Sequence, residues 1–229
     1  SESEEVSEET FFKSLEEVHK KSFVDEITSA FSGAAASAAS FLGLTSVEDD
    51  VSKIDTSDIG TNPAQTRVLG EAVDEALSMA TKAKGNSGPN NALYQEYMDA
   101  GDTTKGTDGD ISARAAHVRS GFAAVENVLK NDVITFKKWE STETGYDSTY
   151  AYVYPGRPGN QMYIGGAFWT ASKTGIDSQA GTIVHELTHI HHGTDDHHYG
   201  ESDSKQSAKD TPDLATTNAD NYEHFSEKG

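Results

Sequence analysis

The residues best suited to chemistry lie between positions 181 and 200. His185-Glu186-Leu187-Thr188-His189 follows a short apolar lead, Gly181-Thr182-Ile183-Val184, and precedes Gly193-Thr194-Asp195-Asp196-His197-His198-Tyr199-Gly200. Side chains four apart on a helix share a face, so the two imidazoles reach one metal ion. Neutral imidazole suits Zn²⁺, and a site with three protein ligands keeps a fourth position for water, as hydrolytic zinc requires. Glu186 follows the first histidine and so projects beside the ion, where a carboxylate can take a proton from bound water.

HExxH can arise by chance on a helix, but a hydrolytic site also needs a third ligand, and three candidates are available. Asp195 stands at the offset used by an HExxHxxGxxH/D pattern. That pattern needs glycine at position 192, which is His192, and a methionine turn downstream, whereas Met79, Met98 and Met162 all lie upstream. Glu223 offers a more distant carboxylate on an expected helix. Asp196 is the remaining choice.

The segment resembles the aspzincin metalloendopeptidases, the family of deuterolysin and the peptidyl-Lys metalloendopeptidases, whose signature is HExxH followed by GTxDxxYG. Gly193, Thr194, Asp196, Tyr199 and Gly200 match the fixed positions of the second motif. The likeness to the peptidyl-Lys branch extends through Thr149-Tyr150-Ala151-Tyr152-Val153-Tyr154-Pro155, Gly166-Ala167-Phe168-Trp169 and Thr174 to Thr182. It resumes at Asn218-Ala219-Asp220-Asn221-Tyr222-Glu223-His224-Phe225. About a third of the chain is covered closely; residues 61 to 148 share only helical character.

The resemblance implies one Zn²⁺ held by His185, His189 and Asp196, with Glu186 as general base and Tyr199 as a donor to the oxyanion. If the loop after His189, shorter than in the fungal enzymes, keeps Asp196 from the ion, Asp195 is the substitute. Asp220 and Glu223, spaced i and i+3, share a helix face; by resemblance they line the pocket for the residue after the scissile bond. Two confined carboxylates select a lysine, a compact point charge, over the wider fork of arginine. The function implied is zinc-dependent endopeptidase action on the amino side of lysine, by Glu-assisted attack of zinc-bound water. The alternatives are a broad-specificity deuterolysin-like protease and a non-catalytic toxin or binding module with structural zinc. His191, His192, His197 and His198 are expected to face solvent rather than hold a second ion.

Bulk properties bound the rest. Eighteen Lys and Arg against 38 Asp and Glu give a formal net charge of −20, which repels a phosphate backbone and excludes nucleic acid as a partner. It favours attraction of basic substrates, and the resemblance implies protein or peptide substrates with accessible lysines. The absence of cysteine excludes disulfides and thiolate metal sites; Gly165 stands where fungal members of the family usually place a cysteine. No run of about 18 apolar residues exists to span a membrane. A secreted location follows from the resemblance, with any signal peptide absent from this chain.

These residues need elements to position them. Stripes at Val68, Leu69, Ala72, Val73, Ala76, Leu77 and Ala80, and at Ile111, Ala115, Val118, Phe122, Val125 and Leu129, predict two helices. Val133 to Trp139, Tyr150 to Tyr154 and Met162 to Ile164 read as strands, the last two joined as a hairpin. The site helix and a closing helix near Ala215 to Phe225 complete an α+β, mostly helical, zincin-like domain over 61–229, with a small antiparallel sheet beside the HExxH helix. An edge strand of that sheet would hold extended substrate.

Residues 1 to 60 carry 14 acidic and 4 basic side chains, an acidic extension read as a propeptide or retained subdomain. Phe11, Leu15, His19, Phe23, Ile27 and Phe31 form a stripe that would pack on the catalytic domain. Lys13, Lys20, Lys21 or Lys53 would then block the acidic pocket.

Overall fold

The computed structural model describes residues 53–229. The expected stripe from Phe11 to Phe31, with Lys13, Lys20 and Lys21, lies outside the described residues.

Asn62 and Pro63 start the first long helix, α1 (Pro63–Asn86). The Asn62 side chain accepts from Gln65 N while the Gln65 side chain accepts from Asn62 N, and proline at the first helical position gives up no needed donor. Thr107 and Asp110 make the same reciprocal cap for α3 (Asp108–Asn131). Between them lies a short α2 (Ala92–Tyr97). The two expected stripes face each other: Leu69, Val73, Ala76 and Ala80 of α1, and Val118, Phe122, Val125 and Leu129 of α3, are buried in one core. At Gly121 a methyl group would stand 2.6 Å from the His192 ring and 2.8 Å from Tyr222, so the missing side chain lets α3 lie close to the site helix.

Four strands among the described residues, β1 (Ile54–Asp55), β2 (Ile134–Lys138), β3 (Ala151–Val153) and β4 (Asn160–Ile164), form one sheet in the order β1-β2-β4-β3. The expected hairpin is present, with β3 antiparallel to β4. The sheet as a whole is mixed rather than antiparallel, because β2 runs parallel to both β1 and β4. The connection over 139–150 is too long for a tight turn. It carries the chain past one strand position to the edge, and the following turn folds β4 back into the gap. Ile54 and Asp55 pair with Ile134 and Thr135, so the sheet takes in residues before position 60. Alternation puts Ile134, Phe136, Met162 and Ile164 into the core. At Gly165 a Cβ would stand 2.1 Å from the main-chain oxygen of Thr149, so no side chain fits there without moving backbone.

The chain continues through α4 (Gly166–Thr170), α5 (Gln179–His192), α6 (Glu201–Asp210), α7 (Pro212–Ala215) and α8 (Ala219–Lys228). The expected closing helix is thus two helices, broken at residues 216–218, whose backbone is used elsewhere. Helix α5 packs against α1, α3, α8 and β3, and every residue from Gln179 to His189 is buried. It is the central element of the domain and carries HExxH. No helix among the described residues is long and apolar enough to cross a membrane.

Candidate active site

Helix α5 has well-defined ends. Ser178 Oγ accepts from Gly181 N at 2.9 Å, and Gly193 closes the helix in the left-handed conformation at φ 67, where glycine carries no Cβ penalty. Glu227 of α8 reaches back to the first turn. Its carboxylate accepts from Ser178 N and Ser178 Oγ, both at 2.8 Å, and from Asp177 N at 3.2 Å. A negative charge at a helix N-terminus is favourable, and here it also ties α8 to the site helix.

His185 and His189 lie one turn apart on α5, their rings 4.9 Å between centroids. His189 Nδ1 donates to Thr194 O at 2.7 Å, which leaves Nε2 as the ligand atom. Asp196 Oδ1 is 3.1 Å from His185 Nε2 and 3.3 Å from His189 Nε2, with all three side chains sequestered from solvent. Two imidazole nitrogens and one carboxylate oxygen converging in this way, in a buried place, fit a single Zn²⁺. Although burial alone would raise it, the Asp196 carboxyl is held well below the usual carboxylate range by His185 and His189. It is therefore charged and ready to act as a ligand.

The neighbouring Asp195 is exposed. Its backbone explains why: Asp195 N donates to Thr217 O at 2.9 Å and Asp195 O accepts from Ala219 N at 3.0 Å, a parallel bridge to Asn218. Successive side chains on an extended segment point to opposite sides, so Asp195 outward sets Asp196 inward. Asn218 fixes the same loop from its side chain, accepting from His197 N at 2.8 Å and donating to His198 O at 3.2 Å.

Glu186 is fully buried and does not belong to the group of converging ligand atoms. The Tyr199 phenol lies in the field of Asp196, Asp220 and Glu186; burial first, then those carboxylates, push its pKa far up, so it remains an O–H donor. Asp220 and Glu223 share the inner face of α8. Asp220 Oδ1 lies 3.2 Å and Glu223 Oε2 3.1 Å from His185 Nδ1, the ring nitrogen facing away from Asp196. Glu223 thus approaches the opposite side of His185 from the His189–Asp196 cluster and is not the third member of that set. Burial would lower the His185 pKa, but Asp196, Asp220 and Glu223 together raise it well above the ordinary histidine value.

The other histidines are more packed than expected. His191 Nε2 is 2.6 Å from Asn160 Oδ1, and His192 stacks on His117 at 4.2 Å between ring centroids. Burial, then His117, lower the His192 pKa to about 4. Only His197 of the four is exposed, and none joins a ligand cluster among the described residues. The residues that sequence reasoning missed are those acting through backbone or across long separations: Thr194 by its carbonyl, Asn218 by its amide, and Glu227 by capping α5.

Comparisons with known proteins identify the family. The family model described as lysine-specific metallo-endopeptidase, the aspzincins, matches residues 83–227. An extracellular protease of Aeromonas hydrophila is 34% identical over 173 residues, covering 73% of this chain and 45% of that protein. A peptidyl-Lys metalloendopeptidase of Grifola frondosa is 54% identical over 81 residues, 34% of this chain and 23% of that protein. The chain thus spans less than half the length of these two relatives. The solved zinc peptidase from Grifola frondosa superimposes with a TM-score of 0.61 at 32% identity, covering 73% of this chain and 97% of that one. With the ligand cluster, the fold and the family model in agreement, the chain belongs to the aspzincin family of metallo-endopeptidases.

Proposed function

We propose that this protein is a zinc-dependent endopeptidase cutting on the amino side of lysine. The observation that carries the reading is the approach of Asp196 Oδ1 to both histidine Nε2 atoms, with the buried Glu186 beside that cluster rather than in it. Bound Zn²⁺ supplies Lewis acidity, polarising the scissile carbonyl and making water acidic. Glu186 takes the proton from the attacking water and returns it to the leaving amine. Tyr199 donates its hydroxyl to the developing oxyanion. Asp220 and Glu223 provide negative charge for a substrate ammonium, and β3, at the sheet edge against α5, lies where an extended peptide could run beside it.

Lysine selectivity is supported by the acidic pair and by the name of the Grifola relative; secretion is supported by the name of the Aeromonas relative. Residues 1 to 60 are proposed to restrain the catalytic unit, whose sheet includes Ile54 and Asp55; removal of residues 1–52 that leaves activity unchanged refutes this. The main test is digestion of a lysine-containing protein with and without a chelator, followed by sequencing of the new N-termini. Lysine at each new terminus is expected. Mixed termini indicate the broad-specificity protease, and no chelator-sensitive cleavage indicates a structural zinc module.

A further inference from the structure

We infer that Asp220 is a positioning residue, acting through the zinc ligand His185 and the turn carrying Tyr199, and is not only a charge in the lysine pocket. The inference deepens the proposed function and rests on it for the identity of the ion. Asp220 is fully buried, and its two oxygens face different parts of the site. Oδ1 lies 3.2 Å from His185 Nδ1. Oδ2 accepts the Gly200 N–H at 2.6 Å and lies 3.5 Å from His224 Nε2. One carboxylate therefore spans helix α5, helix α8 and the turn immediately after Tyr199.

The His185 ring explains what that accomplishes. Its Nε2 faces Asp196, so the proton of the neutral ring belongs on Nδ1, between the carboxylates of Asp220 and Glu223. A carboxylate at the outer nitrogen of a metal-bound imidazole fixes the tautomer and makes the ring a better donor, and its loss typically costs 10–100-fold in metal affinity. His189 is served in the same way by Thr194 O, so each histidine has its own partner at Nδ1. The Gly200 contact adds a second effect. Gly200 sits at φ 92, a conformation that leaves its N–H directed at Asp220 and sets where the preceding phenol lies.

Asp220→Asn is the test, because the amide keeps shape but has one acceptor oxygen instead of two. Whichever way it turns, its NH₂ confronts either the His185 or the Gly200 N–H. Zinc affinity, measured by competition with a chromophoric chelator, is expected to fall about 10–100-fold. At saturating zinc, kcat is expected to fall, and the preference for lysine over other residues is expected to weaken with the lost pocket charge. Unchanged zinc affinity, within twofold, overturns the inference and returns Asp220 to the pocket alone. Zinc affinity is read without any substrate, so this result stands apart from whether the protein is a peptidase. Should the variant fail to fold, ¹⁵N imidazole spectra of the zinc-loaded wild-type protein decide instead. A protonated, slowly exchanging His185 Nδ1 supports the inference, and a deprotonated or solvent-exchanging one overturns it.

Discussion

Thr194 accepts the Nδ1–H of His189 through its main-chain oxygen at 2.7 Å, so the residue two before Asp196 orients His189. The turn and the helix end are therefore one unit: Thr194 Oγ1 is also 2.7 Å from Thr188 Oγ1, and Gly193 makes the reversal between them. The carbonyl that sets the His189 imidazole thus lies two residues before the Asp196 carboxylate, on the same short turn.

Replacing Glu186 with Gln is expected to leave zinc bound and to lower kcat by about 10²–10⁴-fold, the range for losing a positioned general base. Metal analysis of the purified variant alongside peptide turnover checks it. Wild-type activity in Glu186→Gln removes the residue from the mechanism.

Asp195 and Asp196 should separate cleanly. Asp196→Ala takes away one of three convergent ligands and is expected to abolish stoichiometric zinc binding, whereas Asp195→Ala alters an exposed side chain whose structural work is done by its backbone. Equilibrium dialysis against zinc distinguishes them.

Tyr199→Phe keeps the ring and deletes the hydroxyl. A fall in kcat of about 10²–10³-fold with little change in KM is expected, as for removal of one oxyanion donor. A change confined to KM would instead assign Tyr199 to substrate binding.

Gly181→Ala, one helical turn before His185, should be costly. The added methyl would stand 2.0 Å from Glu227 Oε1 and 3.0 Å from Glu223 Cγ. Glu227 cannot retreat without releasing its hydrogen bonds at residues 177 and 178. We expect a loss of about 1–3 kcal/mol in stability, read by denaturant titration, together with weaker zinc binding.

Glu126 supplies a pH-dependent contribution to stability. Lys130 first, then Lys84 and Thr81, lower its pKa from 4.5 to about 2. A carboxyl with a folded pKa below its unfolded one stabilises above the unfolded value and loses that effect as pH falls through the folded one. Lys130 is half exposed and Lys84 a third exposed, so screening limits the effect to about 1–2 kcal/mol. Glu126→Gln is expected to lower the melting temperature at pH 7, with the gap from wild type closing between about pH 4.5 and pH 2.

The long helices were legible because their stripes are regular. That His185, His189 and Asp196 come together was legible because they fall within twelve consecutive positions. Helix α6 was not, because it buries Ser204, Ser207 and Ala208 rather than a stripe of large apolar residues. Its attachment depends on Asn221, which donates to Ser204 O at 2.9 Å and to Tyr97 O at 2.6 Å. Strand direction was also hidden. The Val133 to Trp139 segment shows strand character, but only the 139–150 crossover makes it a parallel neighbour of β4.

The bridge between Asp195 and Asn218 has a bearing on biosynthesis. A ribosome releases HExxH and its aspartate well before Thr217, Asn218, Asp220 and Glu227 emerge. Until those later residues dock, the nascent chain holds His185, His189 and Asp196 in sequence without the scaffold that aims them, so the cluster is fixed in place only once the segment through Glu227 has been made.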